Sequence, residues 1–211
     1  MKRIGIFGTS GMAREARDIA DALGYSAVFV ARNAEERAAF HDSGDVILES
    51  EVGNYKDMPY AIGIGEGAVR AKIAARHANT VRFGNLIHPS ATFGCGQRQH
   101  IETRSGVIIC AGVRFTSNIS VGDFTLFNLN ATISHDSIIA DYVTVSPNAC
   151  ILGNVSIGEA AWIGAGAIIN QGSSDRKVTI GNNTLIGSGA VIITDCDADA
   201  VYVGVPGRKT K

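Results

Sequence analysis

From Val107 to Ile192 the apolar and polar positions of this chain recur with a period of six. The hexads run VIICAG (107–112), VRFTSN, ISVGDF, TLFNLN, ATISHD, SIIADY, VTVSPN, ACILGN, VSIGEA, AWIGAG and AIINQG. After a short interruption VTIGNN (178–183), TLIGSG and AVIITD follow. Every third position is apolar: Ile109, Phe115, Val121, Phe127, Ile133, Ile139, Val145, Ile151, Ile157, Ile163, Ile169, Ile180, Ile186 and Ile192. Neither a helix of about 3.6 residues per turn nor a strand alternating every second residue keeps strict sixes over such a stretch. A short fixed period marks a solenoid, and a hexapeptide period marks a parallel β-helix. Each hexad supplies a short strand and a corner, three hexads close one triangular coil, and the third-position side chains stack down its interior. At a strand spacing of about 4.8 Å, five or so coils make a prism roughly 25 Å long. Gly and Asn, crowded into the last positions of the hexads, suit corners that need positive φ, so many of the 25 glycines are structural.

The first 85 residues follow other periods. Lys2–Phe7 is a short apolar run ending in Gly8-Thr9-Ser10-Gly11. A helical pattern follows, with Ala13, Ala16, Ile19, Ala20 and Leu23 on one side and Gly24 closing it. Strands are expected at Ser26–Val30, Val46–Leu48 and Tyr60–Ile64, then Gly65-Glu66-Gly67 and a basic helix over Ala68–His77. Alternating strands and helices give a small parallel sheet. The chain therefore reads as a Rossmann-like domain over 1–85 and a β-helix over 86–211, with Gln97–Arg104 an imperfect coil or loop.

Gly8–Gly11 opens a helix, where backbone N–H groups can hold a phosphate. A ligand-free tight turn is the alternative. A dinucleotide site also needs an acid at the end of the second strand. Here that strand ends in Ala31-Arg32, so a dinucleotide is not expected.

A net charge of −1 leaves no electrostatic footprint for nucleic acid or an anionic membrane. No apolar run reaches transmembrane length, and the start reads as a buried strand rather than a signal peptide. The four cysteines, Cys95, Cys110, Cys150 and Cys196, show no paired or metal-like spacing. Reduced thiols in a cytoplasmic protein are the expectation. His88, His100 and His135 are not spaced to stack in one site, so a three-histidine zinc enzyme on this scaffold, and any metal, is not expected. His135 is the one histidine inside the regular hexads, on a corner position where Gly, Ser, Asn or Pro is usual. It is either a surface histidine or a general base.

Gly8-Thr9-Ser10-Gly11, Ile64-Gly65 followed by Arg70, Asn85-Leu86-Ile87-His88-Pro89-Ser90, the hexads, Ser134-His135-Asp136 and the ending Val203-Gly204-Val205-Pro206-Gly207-Arg208 occur in one order along the chain. Together they resemble the sialic acid O-acetyltransferase/sugar O-acyltransferase family, and within it the bacterial nucleotide-linked 4-amino-sugar N-acetyltransferases. The resemblance implies a homotrimer with left-handed coils and acetyl-CoA as co-substrate. It implies a cytoplasmic role in glycan or surface-polysaccharide precursor synthesis.

By the same resemblance His135 is the general base and Asp136 the acid that orients it, though Asp136 also suits a corner turn. Asn128 lies near the acceptor sugar, or in a structural Asn ladder. Gly8, Thr9, Ser10, Gly11, Arg32 and Gly65 cradle the nucleotide-sugar. Thr144, Gly153, Ala165 and Ser188 line the acetyl-CoA groove. The chain departs from the family in four places: Met12 and Thr144 replace histidines, Ala31-Arg32 replaces acids that bond uracil, and Asp136 stands where some members carry the longer Glu. O-acetylation by the same base and a non-catalytic scaffold are the rival readings.

Overall fold

The computed structural model describes residues 2–211. Its first part is a four-stranded parallel sheet in the order β3-β2-β1-β4, with β1 Lys2–Phe7, β2 Tyr25–Ala31, β3 Asp45–Leu48 and β4 Tyr60–Ile62. Helix α1, Gly11–Ala22, turns Ala13, Ala16, Ile19 and Ala20 inward, the face its apolar spacing defines. A short α2, Ala34–Ala38, and a 3₁₀ turn over Glu49–Asn54 lie beyond the sequence expectation. Helix α3, Gly67–His77, covers the other face and buries Arg70, Ile73, Ala74 and His77.

From Leu86–Ile87 onward the chain winds into a three-sided left-handed β-helix. Its faces are separate parallel ladders of short strands. Ile108 pairs with Leu126, Leu126 with Thr144, and Thr144 with Trp162, so each coil takes three hexads. All fourteen third-position side chains named above are buried, and they form one continuous core from Ile87 to Cys196. The sixth position of the hexads turns the corner with positive φ. Asn118, Asp136 and Asn154 do so on one edge, Asn130, Asn148 and Gly166 on the next, and Phe124, Tyr142 and Ala160 on the third. The expected loop or broken coil at Gln97–Arg104 is instead helical over Gln97–Glu102, α4. The Gln97 amide pairs with both backbone groups of Ile119 (2.6 and 2.9 Å), which caps the open start of the ladder that begins at Ser120–Val121.

One face of the prism carries the first domain. Ile4, Ile6, Ala13, Ala16 and Ile19 share a core with Leu86, Ile108, Cys110 and Leu126. Arg70 of α3 locks the joint. It is 1% exposed and donates to the carbonyls of Ile64, Gly65, Phe124, Tyr142 and Val143 and to Thr144 Oγ1, at 2.6–2.9 Å. All six acceptors are neutral, and burial lowers its pKa to about 10.

Candidate active site

His135 and Asp136 occupy the last two positions of their hexad, so the corner projects them outward. The two side chains are about half exposed, and His135 Nδ1 lies 2.7 Å from Asp136 Oδ2. Asn118, one coil below on the same edge, donates from Nδ2 to Asp136 Oδ1 at 2.6 Å. Its hydrogen bond, and next that of His135, hold the Asp136 carboxyl below the usual carboxylate range. Lys177, from the loop that interrupts the hexads, donates to the Asp136 carbonyl. Both carboxylate oxygens of Asp136 are thus committed, one of them to the His135 ring. An ionised acceptor at Nδ1 keeps the hydrogen there and leaves the Nε2 lone pair free to take a proton.

Gly153 lies one coil above His135. A Cβ built on it would be 2.6 Å from His135 Cε1 and 2.6 Å from Nε2, so the imidazole rests directly on this glycine. A cleft of about 620 Å³ lies on the Asp136 side of the pair, lined in part by His100, Asn118, Ser120, Asp136, Ile138 and Lys177.

The nucleotide-binding candidates gather elsewhere. In the order β3-β2-β1-β4 the chain reverses direction of growth between β1 and β4, the crevice where ligands settle on parallel sheets. Gly8–Gly11 leaves β1 there and Gly63-Ile64-Gly65 leaves β4. Gly8 and Arg32 line a cavity of about 280 Å³ with Phe7, Glu36, Ile64 and Lys72. Ser10 and Gly11 are exposed at the start of α1. Asn128 stands at the edge of the coil facing this turn, its Nδ2 3.8 Å from the sulfur of Met12.

Contrary to the expectation from Ala31-Arg32, an acid does stand at the end of β2. Glu36 reaches back from α2, accepting from the Thr9 hydroxyl (2.6 Å) and from the Arg32 N–H (2.9 Å). The signal was Asn33 followed three residues later by Glu36, a capping pattern. Asn33 Oδ1 does accept from the Glu36 N–H at 2.9 Å. Glu49, on the same cavity, accepts from Arg76 (2.6 Å) and lies 2.8 Å from His77 Nε2. Burial opposes its ionisation, but these partners outweigh burial and hold the carboxyl below its ordinary range.

The acetyl-CoA candidates divide. Ala165 and Ser188 are exposed on one edge, one coil apart, with the Gly189 N–H bonded to the Ala165 carbonyl. Gly153 belongs to the His135 edge. Thr144 must be withdrawn: it is 3% exposed, beneath the first domain, with its hydroxyl donating to the Gly65 carbonyl at 2.6 Å. It serves the joint, and no thioester can reach it. Within one chain His135 and Asn128 stand on different edges, with the Thr132–Ile133 face between them.

Residues 3–77 match the family model described as PglD N-terminal domain. The chain is 38% identical over 112 residues to the GDP-perosamine N-acetyltransferase of Escherichia coli O157:H7, covering 53% of this chain and 51% of the relative. It is 32% identical over 114 residues to the galactoside O-acetyltransferase of Escherichia coli K12, 44% and 54% of the two chains. The chain thus spans about half the length of the curated relatives it matches. Whole-length similarity is found among solved structures. The acetyltransferase domain of PglB from Neisseria gonorrhoeae FA1090, in complex with acetyl coenzyme A, superposes with TM-score 0.84 at 25% identity over 99% of this chain and 98% of that one. The perosamine N-acetyltransferase of Caulobacter crescentus shares the fold with TM-score 0.85 at 24% identity, over 100% and 98%. The first domain is thus similar to the PglD N-terminal domain, and the chain is similar to the GDP-perosamine N-acetyltransferase and, over its whole length, to the PglB acetyltransferase domain.

Proposed function

We propose that this protein transfers an acetyl group from acetyl-CoA to the 4-amino group of a nucleotide-linked amino sugar. The observation that carries the reading is the Asn118–Asp136–His135 relay, which leaves one imidazole nitrogen unbonded on a solvent-facing edge, packed against Gly153. A neutral amine attacks the thioester carbonyl, and His135 Nε2 takes its proton as the C–N bond forms. Collapse of the tetrahedral adduct breaks the C–S bond, and the coenzyme A thiolate leaves and is protonated. Asp136 fixes the tautomer and stabilises the imidazolium, as an acceptor carboxylate does beside any histidine base.

Residues 1–85 bind the nucleotide-sugar. Its diphosphate lies at the start of α1 on Gly8–Gly11, with Arg32 and Gly65 beside the nucleotide and Asn128 beside the sugar. In 86–211, Gly153, Ala165 and Ser188 border acetyl-CoA. Because one chain separates His135 from Gly8–Gly11, the working unit is a homotrimer in which the His135 edge of one prism faces the first domain of the next. The work is cytoplasmic, in glycan precursor synthesis; among the described residues no helix is long and apolar enough to cross a membrane.

The test is thiol release from acetyl-CoA with UDP-, dTDP- and GDP-linked 4-amino sugars and their 4-hydroxy counterparts. Turnover of an amino sugar, lost in His135→Ala with an unchanged circular dichroism spectrum, supports the reading. Turnover of hydroxy sugars alone replaces it with O-acetylation, and equal activity in His135→Ala removes the assigned base.

A further inference from the structure

The chain holds a single tryptophan, Trp162. It begins the strand Trp162–Ile163 on the coil face that carries the first domain. The residues below it in the same ladder are covered: Ile108 and Leu126 lie in the shared core, and Thr144 lies under Gly65 and Arg70. Trp162 is the first to emerge, 36% exposed, beside the loop that leaves β4.

Its indole is fixed at both ends. Nε1 donates to Ser146 Oγ at 2.8 Å. At the other end, a Cβ built on Gly65 would lie 3.5 Å from Cη2 and 4.0 Å from Cζ2. Any larger side chain at position 65 would lie over that ring edge. An exposed aromatic already held in one rotamer loses little entropy when something packs on it. Ser146 in turn stands one coil above Asn128, because the ladder pairs Val145 with Phe127. Asn128 and the exposed Trp162, bridged by the buried Ser146, therefore lie along one strip of the coil. It runs from Met12 of the glycine turn to Gly65 of the second loop, along the crevice at the carboxyl end of the sheet.

We propose that Trp162 is a specificity-determining residue for the acceptor, packing against the apolar C–H face of the nucleotide-linked sugar. This rests on the function proposed above. The chemistry suits the ring: a pyranose presents one face of C–H bonds, and a rigid indole offers a large apolar surface with its polar N–H already satisfied. The diphosphate at Gly8–Gly11 and Gly65 would deliver the sugar onto this strip, while the nucleoside points toward Arg32 and Glu36, away from it.

Because Trp162 is the only tryptophan, its fluorescence reads the site directly in the unmodified protein. The probe is the nucleotide-linked sugar that the panel shows to be turned over best. It should shift or quench the emission, whereas the matching nucleoside diphosphate alone and coenzyme A alone should not. Trp162→Leu should raise KM for the sugar nucleotide roughly 3- to 10-fold, leaving KM for acetyl-CoA and the melting temperature unchanged. Trp162→Phe should recover most of that loss. Emission that responds equally to the nucleoside diphosphate or to coenzyme A overturns the proposal. So does an unaltered KM in Trp162→Leu while the wild type turns over normally, a result that leaves the transferase reading intact. A wild type that neither binds nor acetylates any member of the panel overturns that reading and this proposal together.

Discussion

Gly153→Ala separates the chemistry from the fold more sharply than loss of the histidine itself. Position 153 is buried, and its φ is not in the positive region, so the backbone accepts alanine. The added methyl would sit 2.6 Å from two atoms of the His135 ring, where ordinary contact begins at 3.4 Å. The imidazole must retreat by about 1 Å, and it can do so because half of it faces solvent. Stability therefore changes little. The methyl opens no cavity, and an alanine at a compatible glycine site adds about 0.4–1 kcal/mol by restricting the unfolded chain, roughly offset by the strained contact. A base displaced by about 1 Å from its proton loses on the order of 10²-fold in rate. The assay is steady-state thiol release at saturating acetyl-CoA, with thermal unfolding alongside. A kcat down about 10²-fold with a melting temperature within a few degrees is expected. In a His135→Ala background the same substitution should have no further effect, since both act through one group. Turnover retained within about 3-fold, or a further loss in the double variant, would refute the placement of His135 as base on Gly153.

Three other perturbations test the scaffold around this site. Arg70→Met strips the only protein donor, among the described residues, from the carbonyls of Ile64, Phe124 and Tyr142. At about 1–3 kcal/mol for each of these three buried unpaired groups, urea unfolding should show a loss of about 3–9 kcal/mol, and a loss under about 1 kcal/mol would deny Arg70 its role in the joint. Asp136→Asn offers one acceptor oxygen where Asn118 and His135 now use two, so the ring loses its tautomer restraint, and kcat in steady-state thiol release should fall at least about 10²-fold. Glu49 has a folded pKa below its unfolded one, so its stabilisation is complete above the ordinary carboxylate pKa and lost as pH falls through the folded value. Glu49→Gln should therefore cost about 1 kcal/mol near pH 7 and progressively less below about pH 4 in denaturant titrations.

The sequence was most legible where a residue's environment depends only on its place in the repeat. Ile133 and Ile151 are buried because position three of any hexad points inward, and Asp136 takes positive φ because position six turns the corner. The second position was illegible for the opposite reason. Leu126, Thr144 and Trp162 hold the same place in successive coils, yet the first two are covered and the third emerges, because the first domain ends between them. No local pattern says how far up a face another domain reaches, which is why Thr144 read as a ligand contact. Arg70 was visible as part of a motif, but its acceptors on the coil are backbone carbonyls far along the chain and leave no mark on composition. Helix α4 is too short to declare itself by periodicity. Its position is held by the Gln97–Ile119 pairing, a contact that exists only once the first coil has closed.

The arrangement of the two halves of the site makes its own demand. On a triangular coil the edge of His135 and the edge of Asn128 are a whole face apart, and the glycine turn lies against the second of them. If reaction needs both, each site is shared between copies, and two inactive variants should rescue one another. His135→Ala removes the base and leaves the nucleotide-sugar site whole. Gly11→Asp places a negative charge at the proposed diphosphate site and meets no atom within 4 Å at its Cβ, so it leaves the fold and the base whole. Mixed one to one through a denaturation and refolding step, three-quarters of closed trimers contain both variants. Each of these has one of its three sites assembled from two intact halves, so about a quarter of wild-type turnover should return. A site built within a single chain gives no recovery at any mixing ratio, and that result would dismantle the shared-site geometry while leaving the chemistry of His135 untouched.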